Sequence, residues 1–98
     1  AQLREFIAGC DGIYCTFCLD VLPPAVAPGA SAPSGLGIPL HRAMALLRQL
    51  RRDCRNAPGG DKLVLADIAE YSPGFDAPDG RTARTAARIA YELAAISF

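Results

Sequence analysis

Cys15 to Gly29 reads CTFCLDVLPPAVAPG. Its front half completes an apolar run, Ile13 to Leu19 (IYCTFCL), made of strand-forming residues. Asp11-Gly12 precedes the run, and Asp20 and a pair of prolines follow it. The run therefore predicts a short strand that ends at an acid and opens into a long loop. Val21 to Gly37 is rich in Pro and Gly, and loops of that length in small domains are often functional. Leu63 to Ala69 (LVLADIA) predicts a second strand of the same kind, ending at Glu70 and followed by the loop SPGFDAPDG.

Helices account for what lies between and after. Ile38 to about Cys54 predicts a helix, with Pro39 suited to its first turn. Leu40, Ala43, Met44, Leu47 and Leu50 give it one apolar face. Thr82 to about Ile96 predicts the last helix, whose small-residue face is Ala83, Ala86, Ala87, Ala90, Leu93 and Ala94. Ala1 to Ile7 reads as the end of a helix closed by Gly9. Strand, crossover helix, strand is a βαβ unit, so the strands are parallel and the crossover right-handed. The class is α/β. Both strands are almost wholly apolar, which predicts burial on both sheet faces. Two strands and two helices cannot cover those faces and both edges. Residues 1–98 are accordingly expected to be a partial domain, part of a larger sheet.

Bulk composition narrows the function classes. The chain has 98 residues, half of them hydrophobic, and no formal net charge, which gives no electrostatic footprint for nucleic acid or a membrane surface. Arg42, Arg48, Arg51 and Arg52 read as one solvated helix face, without the interleaved aromatics of a single-strand binder. No apolar run reaches the ~20 residues of a membrane span. The expected location is cytoplasmic. The four cysteines read as scattered thiols, because no secreted context supports a disulfide framework.

Cys15 and Cys18 form a C-x-x-C, but within a strand residues three apart face opposite ways. They cannot share a metal or a disulfide there, and a redox pair belongs at a helix N-terminus. Cys10, Cys15 and Cys54 are expected to be buried and inert. His41, early on the crossover helix, is expected at the surface. Asp76 and Asp79 read as turn and N-cap residues, and Arg81 and Arg84 as solvent-facing. Ser31 lacks a His–Asp partner for nucleophilic catalysis. In open α/β sheets ligands sit beyond the carboxyl ends of the strands. Asp20 and Glu70 stand at those two ends, where they could converge on one ligand.

Thr16 to Pro23 (TFCLDVLP) resembles the S/T-x-D-x-D signature of the arginase–agmatinase–formimidoylglutamase family, the ureohydrolases. Pro28 to Pro33 (PGASAP) resembles the loop that follows it. Asp67 to Pro73 (DIAEYSP) resembles the family's D-x-x-E-x-N-P strand end. Phe75-Asp76, Asp79 to Ala83 and Ala86-Ala87 resemble its last loop and helix. Nearly the whole chain is covered. Pro23-Pro24, where arginases and agmatinases usually carry Asp-Pro, makes it most similar to formimidoylglutamase.

The resemblance implies the C-terminal βαβα portion of a three-layer, parallel-sheet arginase-like fold. It implies hydrolysis of N-formimidoyl-L-glutamate to glutamate and formamide, in histidine degradation, with two Mn²⁺ sharing a hydroxide that attacks the amidine carbon. Asp20 matches the second Asp of the signature, a metal ligand. Glu70 matches the acid that contacts the cationic amidine, and Ser31 falls in the substrate loop. A homo-oligomer is also implied. Cys18 departs from the pattern: it holds the position of the first Asp, another metal ligand. A thiolate is softer than a carboxylate and suits Zn²⁺ better than Mn²⁺. The remaining ligands belong to earlier strands and are absent from this sequence, so the chain is expected to be inactive alone. The alternative is a degenerate, non-catalytic relative acting in assembly or binding.

Overall fold

A computed structural model describes residues 2–30 and 37–94. The elements run α1 (Gln2–Ala8), β1 (Ile13–Cys18), α2 (Leu40–Arg55), β2 (Leu63–Ala69) and α3 (Arg81–Ala94), with single 3₁₀ turns at Leu19–Val21 and Pro73–Phe75. The strands pair in parallel, from Ile13 against Leu63 to Cys18 against Ala69, with one irregularity between Ile13 and Tyr14. A parallel pair needs a crossover, and α2 supplies it.

Each boundary has a local cause. Gly9 closes α1 as expected, its amide donating to the Glu5 and Phe6 carbonyls at 3.3 and 3.2 Å. Leu19 is not part of β1: the chain turns there into the 3₁₀ segment, so Cys18 is the last strand residue. Pro39 precedes α2, and its carbonyl accepts the Arg42 and Ala43 amides at 3.0 and 3.1 Å. The helix ends at Arg55, where the NAPGGD stretch follows with Gly59 and Gly60 at positive φ.

The core lies between one face of the sheet and helices α2 and α3. Leu19, Leu22, Met44, Leu47, Ile89 and Leu93 are buried in it, and Cys15, Phe17, Ala66 and Ile68 pack against it from the strands. Burying each large side chain contributes about 1.5–3 kcal/mol. Burial on both faces is expected of the larger sheet; among the described residues only one face is covered. Tyr14, Thr16, Leu65 and Asp67, which alternate with the core-facing residues, lie exposed. Among the described residues no second layer covers that face, and the two-stranded sheet has both edges open.

The reading of α3 is corrected. Its buried stripe is Thr82, Ile89 and Leu93, with Ala86 against the core. Ala83, Ala87, Ala90 and Ala94 are exposed. The alanine-rich face is thus divided: only part of it lies on the core, and Ala90 and Ala94 line an open groove beside Val64 and Leu65 of β2.

Candidate active site at the carboxyl ends of the strands

β1 and β2 end level, because Cys18 pairs with Ala69. Asp20 follows two residues after the first, and Glu70 one residue after the second. Both acids therefore leave the same end of the sheet, as the strand-end rule requires.

Asp20 sits in the 3₁₀ turn Leu19–Val21, which the Leu22 amide closes onto the Leu19 carbonyl at 3.2 Å. The Ile38 amide donates to the Val21 carbonyl at 2.6 Å and fixes the turn to the entry of α2. Leu19 and Leu22, on either side, are fully buried. Asp20 itself is half-buried. Its Oδ1 is buried and has no hydrogen-bond partner among the described residues. A buried carboxylate oxygen loses its hydration and is costly to leave unmatched. A cation would satisfy it.

Glu70 is exposed and carries φ +72°, the only positive value at a non-glycine among the described residues. An L-residue in that region costs roughly 1 kcal/mol or more. Such strain accumulates at functional positions, where the surroundings hold the residue against its preference.

Cys18 is half-buried and ends β1 in extended conformation. Ser31, the substrate-loop expectation, lies outside the described residues. No three His, Cys, Asp or Glu side chains cluster among the described residues as a complete metal centre would need. The donor set fits a hard cation in part. Asp20 offers a suitable oxygen, and Cys18 offers a sulfur that suits Mn²⁺ poorly.

The other thiols divide. Cys54 is buried as expected, but Cys10 and Cys15 are only half-buried. Cys10 lies at an exposed helix end, where its thiol donates to the Phe6 carbonyl at 3.2 Å. Cys15 packs against the core on one side, and among the described residues no layer covers the other face of its strand. Burial, then the charge of Asp67, pushes the Cys15 thiol up; burial, then the charge of Asp61, does so for Cys54. Neither is an activated thiolate. His41 is exposed, as expected.

Asp76 and Asp79 do cap α3. Asp79 Oδ1 accepts the Arg81 amide at 3.1 Å, and Asp76 accepts the amides of Thr82 and Ala83 at 3.0 and 3.2 Å. Arg84 faces solvent. Arg81 is exposed too, yet it pairs with Asp79 at 3.1 Å and donates to the Ala25 carbonyl at 3.2 Å.

Two features escaped the sequence reading. Asp67 accepts hydrogen bonds from Tyr14 Oη and Thr16 Oγ1 across the strands. These bonds, Thr16 first, hold the Asp67 carboxyl below its ordinary value. The alternation Tyr14-x-Thr16 opposite Asp67 was the available signal. The other feature is Thr82, fully buried beside Gly29, for which a separation of 53 positions left no local signal.

The profile described as "Arginase family" matches residues 1–95. A formimidoylglutamase from Paraburkholderia xenovorans is 47% identical over 92 residues, covering 94% of this chain and 26% of that protein. One from Aromatoleum aromaticum is 47% identical over 94 residues, covering 96% and 25%. Among solved structures, a hypothetical agmatinase from Burkholderia thailandensis superimposes with a TM-score of 0.72 at 34% identity, covering 94% of this chain and 27% of that one. The chain thus spans about a quarter of the length of these relatives.

Proposed function

Since this chain belongs to the Arginase family, we propose that it forms the strand-end portion of a formimidoylglutamase-like amidine hydrolase. It would contribute Asp20 to a metal centre and Glu70 to substrate binding, the rest of the site coming from residues outside this sequence. One observation carries the reading: a desolvated, unmatched Asp20 oxygen and a strained Glu70 leave the same end of a parallel sheet.

The chemistry assigns each residue a task. N-formimidoyl-L-glutamate carries a cationic amidine at neutral pH. Glu70, exposed at the strand end, would accept its N–H groups in a charge-assisted contact that orients the carbon for attack. Its fixed backbone limits the directions the carboxylate can take. Asp20 would hold Mn²⁺ through Oδ1, and the buried flanks Leu19 and Leu22 keep the carboxylate from swinging out to water. Manganese, when bound, supplies a water molecule acidified enough to act as nucleophile near neutral pH. Ser31 would belong to the substrate loop, and a homo-oligomeric, cytoplasmic enzyme completes the proposal. Among the described residues no helix is long and apolar enough to cross a membrane.

A second reading rests on Cys18. With sulfur in place of a carboxylate, the centre would hold Mn²⁺ weakly, and the chain would act in assembly or binding without catalysis. Grafting residues 1–98 in place of the matching segment of the P. xenovorans formimidoylglutamase separates the two. With Cys18→Asp, the graft is expected to release formamide from N-formimidoyl-L-glutamate in a Mn²⁺-dependent way. A folded graft with Cys18→Asp that binds no Mn²⁺ and leaves the amidine intact would favour the non-catalytic reading.

A further inference from the structure

The loops after β1 and β2 are tied to each other through Gly29, Thr82 and Asp76. The Gly29 amide donates to Thr82 Oγ1 at 2.8 Å, and its carbonyl accepts the Ser72 amide at 2.6 Å. One glycine therefore bonds the start of α3 on one side and the β2 loop on the other. The approach is close: an added Cβ would lie 3.0 Å from both Cβ and Oγ1 of Thr82 and 3.1 Å from Cβ of Asp76, so a larger residue would have to push these neighbours by a few tenths of an ångström.

Thr82 is fully buried at 0% exposure. A hydroxyl has a single proton to give and lone pairs to accept with. Gly29 donates into the oxygen, so the Thr82 hydroxyl keeps its own proton, and it helps hold the neighbouring Asp76 carboxyl low. Asp76 is held in turn by the amides of Ala77, Thr82 and Ala83 at 2.8, 3.0 and 3.2 Å and by Tyr71 Oη at 3.1 Å. The direction of the buried bond is set: the Gly29 N–H donates and the Thr82 hydroxyl oxygen accepts. Helix capping alone uses the Asp76 carboxylate and backbone amides. It does not require the hydroxyl, nor the close approach of Gly29.

We propose that Thr82 is a positioning residue: its hydroxyl locks the loop after β1, at Gly29, onto the loop after β2, and so fixes that loop beside the Glu70 end of the site. What the lock serves rests on the amidine-hydrolase reading; the lock itself does not. Asp20 lies nine positions before Gly29 and Ser31 two after it. A loop freed at Gly29 would lose substrate orientation before it lost Asp20, which has its own anchors at Leu19 and Leu22.

Two measurements test this, with Thr82→Val removing the hydroxyl and Thr82→Ser keeping it. In the full chain, hydrogen exchange at the Gly29 amide is expected to rise about tenfold or more in Thr82→Val, as the loss of a buried hydrogen bond implies. The β1–β2 ladder amides should stay within about twofold, and Thr82→Ser should match the unsubstituted chain. Unchanged Gly29 exchange in Thr82→Val overturns the proposal. So does an equal rise at the ladder amides, which would make Thr82 an ordinary core group, or an unprotected Gly29 amide in the unsubstituted chain. In the Cys18→Asp graft, Thr82→Val is expected to raise KM for N-formimidoyl-L-glutamate by about tenfold, with a smaller change in kcat and an unchanged Mn²⁺ content, and Thr82→Ser to restore KM. An unchanged KM contradicts the positioning role. A graft that hydrolyses no amidine even with Thr82 in place defeats the functional reading instead, and leaves the exchange result to decide the lock.

Discussion

Cys18 and Ala69 are the last paired residues of the parallel sheet. Because the strands stop opposite each other, the turn holding Asp20 and the strained residue Glu70 emerge at one level. Had β1 run on through Leu19, Asp20 would continue an extended strand and its oxygen would not be carried into the buried turn. The break at Cys18 makes two separate strand ends into one candidate site.

Glu70 pays a conformational penalty that a glycine would not. Glu70→Gly is therefore expected to leave stability unchanged or raise it by up to about 1 kcal/mol. In the Cys18→Asp graft the same change should remove amidine hydrolysis, since the carboxylate is gone. Urea unfolding and formamide release on the same preparation check both halves. A loss of more than about 1 kcal/mol would mean that the side chain holds the fold rather than the substrate.

Acid is expected to destabilise the chain through two carboxylates. Arg51 hydrogen-bonds Asp61 and, against some burial, lowers its pKa to about 2. Burial pushes Asp76 up, but the Thr82 hydroxyl and the amides of Thr82, Ala83 and Ala77 outweigh it and hold the pKa at about 2. Both folded values lie below the ordinary 3.8. The unfolded chain therefore binds protons first as pH falls. The stabilisation is complete above pH 4 or so and is lost progressively towards pH 2. Asp61 is 38% exposed, so solvent screening limits its pair to under about 1 kcal/mol. Unfolding midpoints at pH 5, 3.5 and 2.5 should converge between the unsubstituted chain and Asp61→Asn. Parallel curves would contradict the assignment.

The core between the sheet and the two long helices is tested by a matched pair. Ile89 is fully buried, whereas Leu46 on α2 is 59% exposed. Ile89→Ala is expected to cost about 2–5 kcal/mol and Leu46→Ala under about 0.5 kcal/mol. Denaturant titration reads both. Similar losses would mean that Leu46 is covered by a partner in solution.

How much of this was legible in the sequence depends on the range of each interaction. The strands, the crossover helix and the acids at Asp20 and Glu70 follow from local periodicity and from punctuation by Pro, Gly and Asp. Capping by Asp76 and Asp79 is equally local, within a few residues of α3. Tyr14, Thr16, Leu65 and Asp67 stand uncovered because an apolar strand gives the same pattern whether or not the layer that covers it belongs to the same stretch of chain. Asp67 stood inside the quoted strand-end motif, yet its partners lie on the other strand and only the register reveals them. The Gly29–Thr82 bond was invisible for the same reason: neither residue announces a partner 53 positions away. The backbone strain at Glu70 has no sequence signature, since glutamate gives no hint of positive φ.

The central claim is that Asp20 completes a metal centre at the end of β1. The most direct test is the Mn²⁺ content of the folded Cys18→Asp graft, measured with and without Asp20→Asn after equilibration in limiting metal. Asp20→Asn is expected to lose at least half of the bound Mn²⁺ while Glu70→Gln loses none. Equal Mn²⁺ content in the graft with Asp20 and in the Asp20→Asn graft would contradict the claim and make the buried carboxylate a structural feature of the turn.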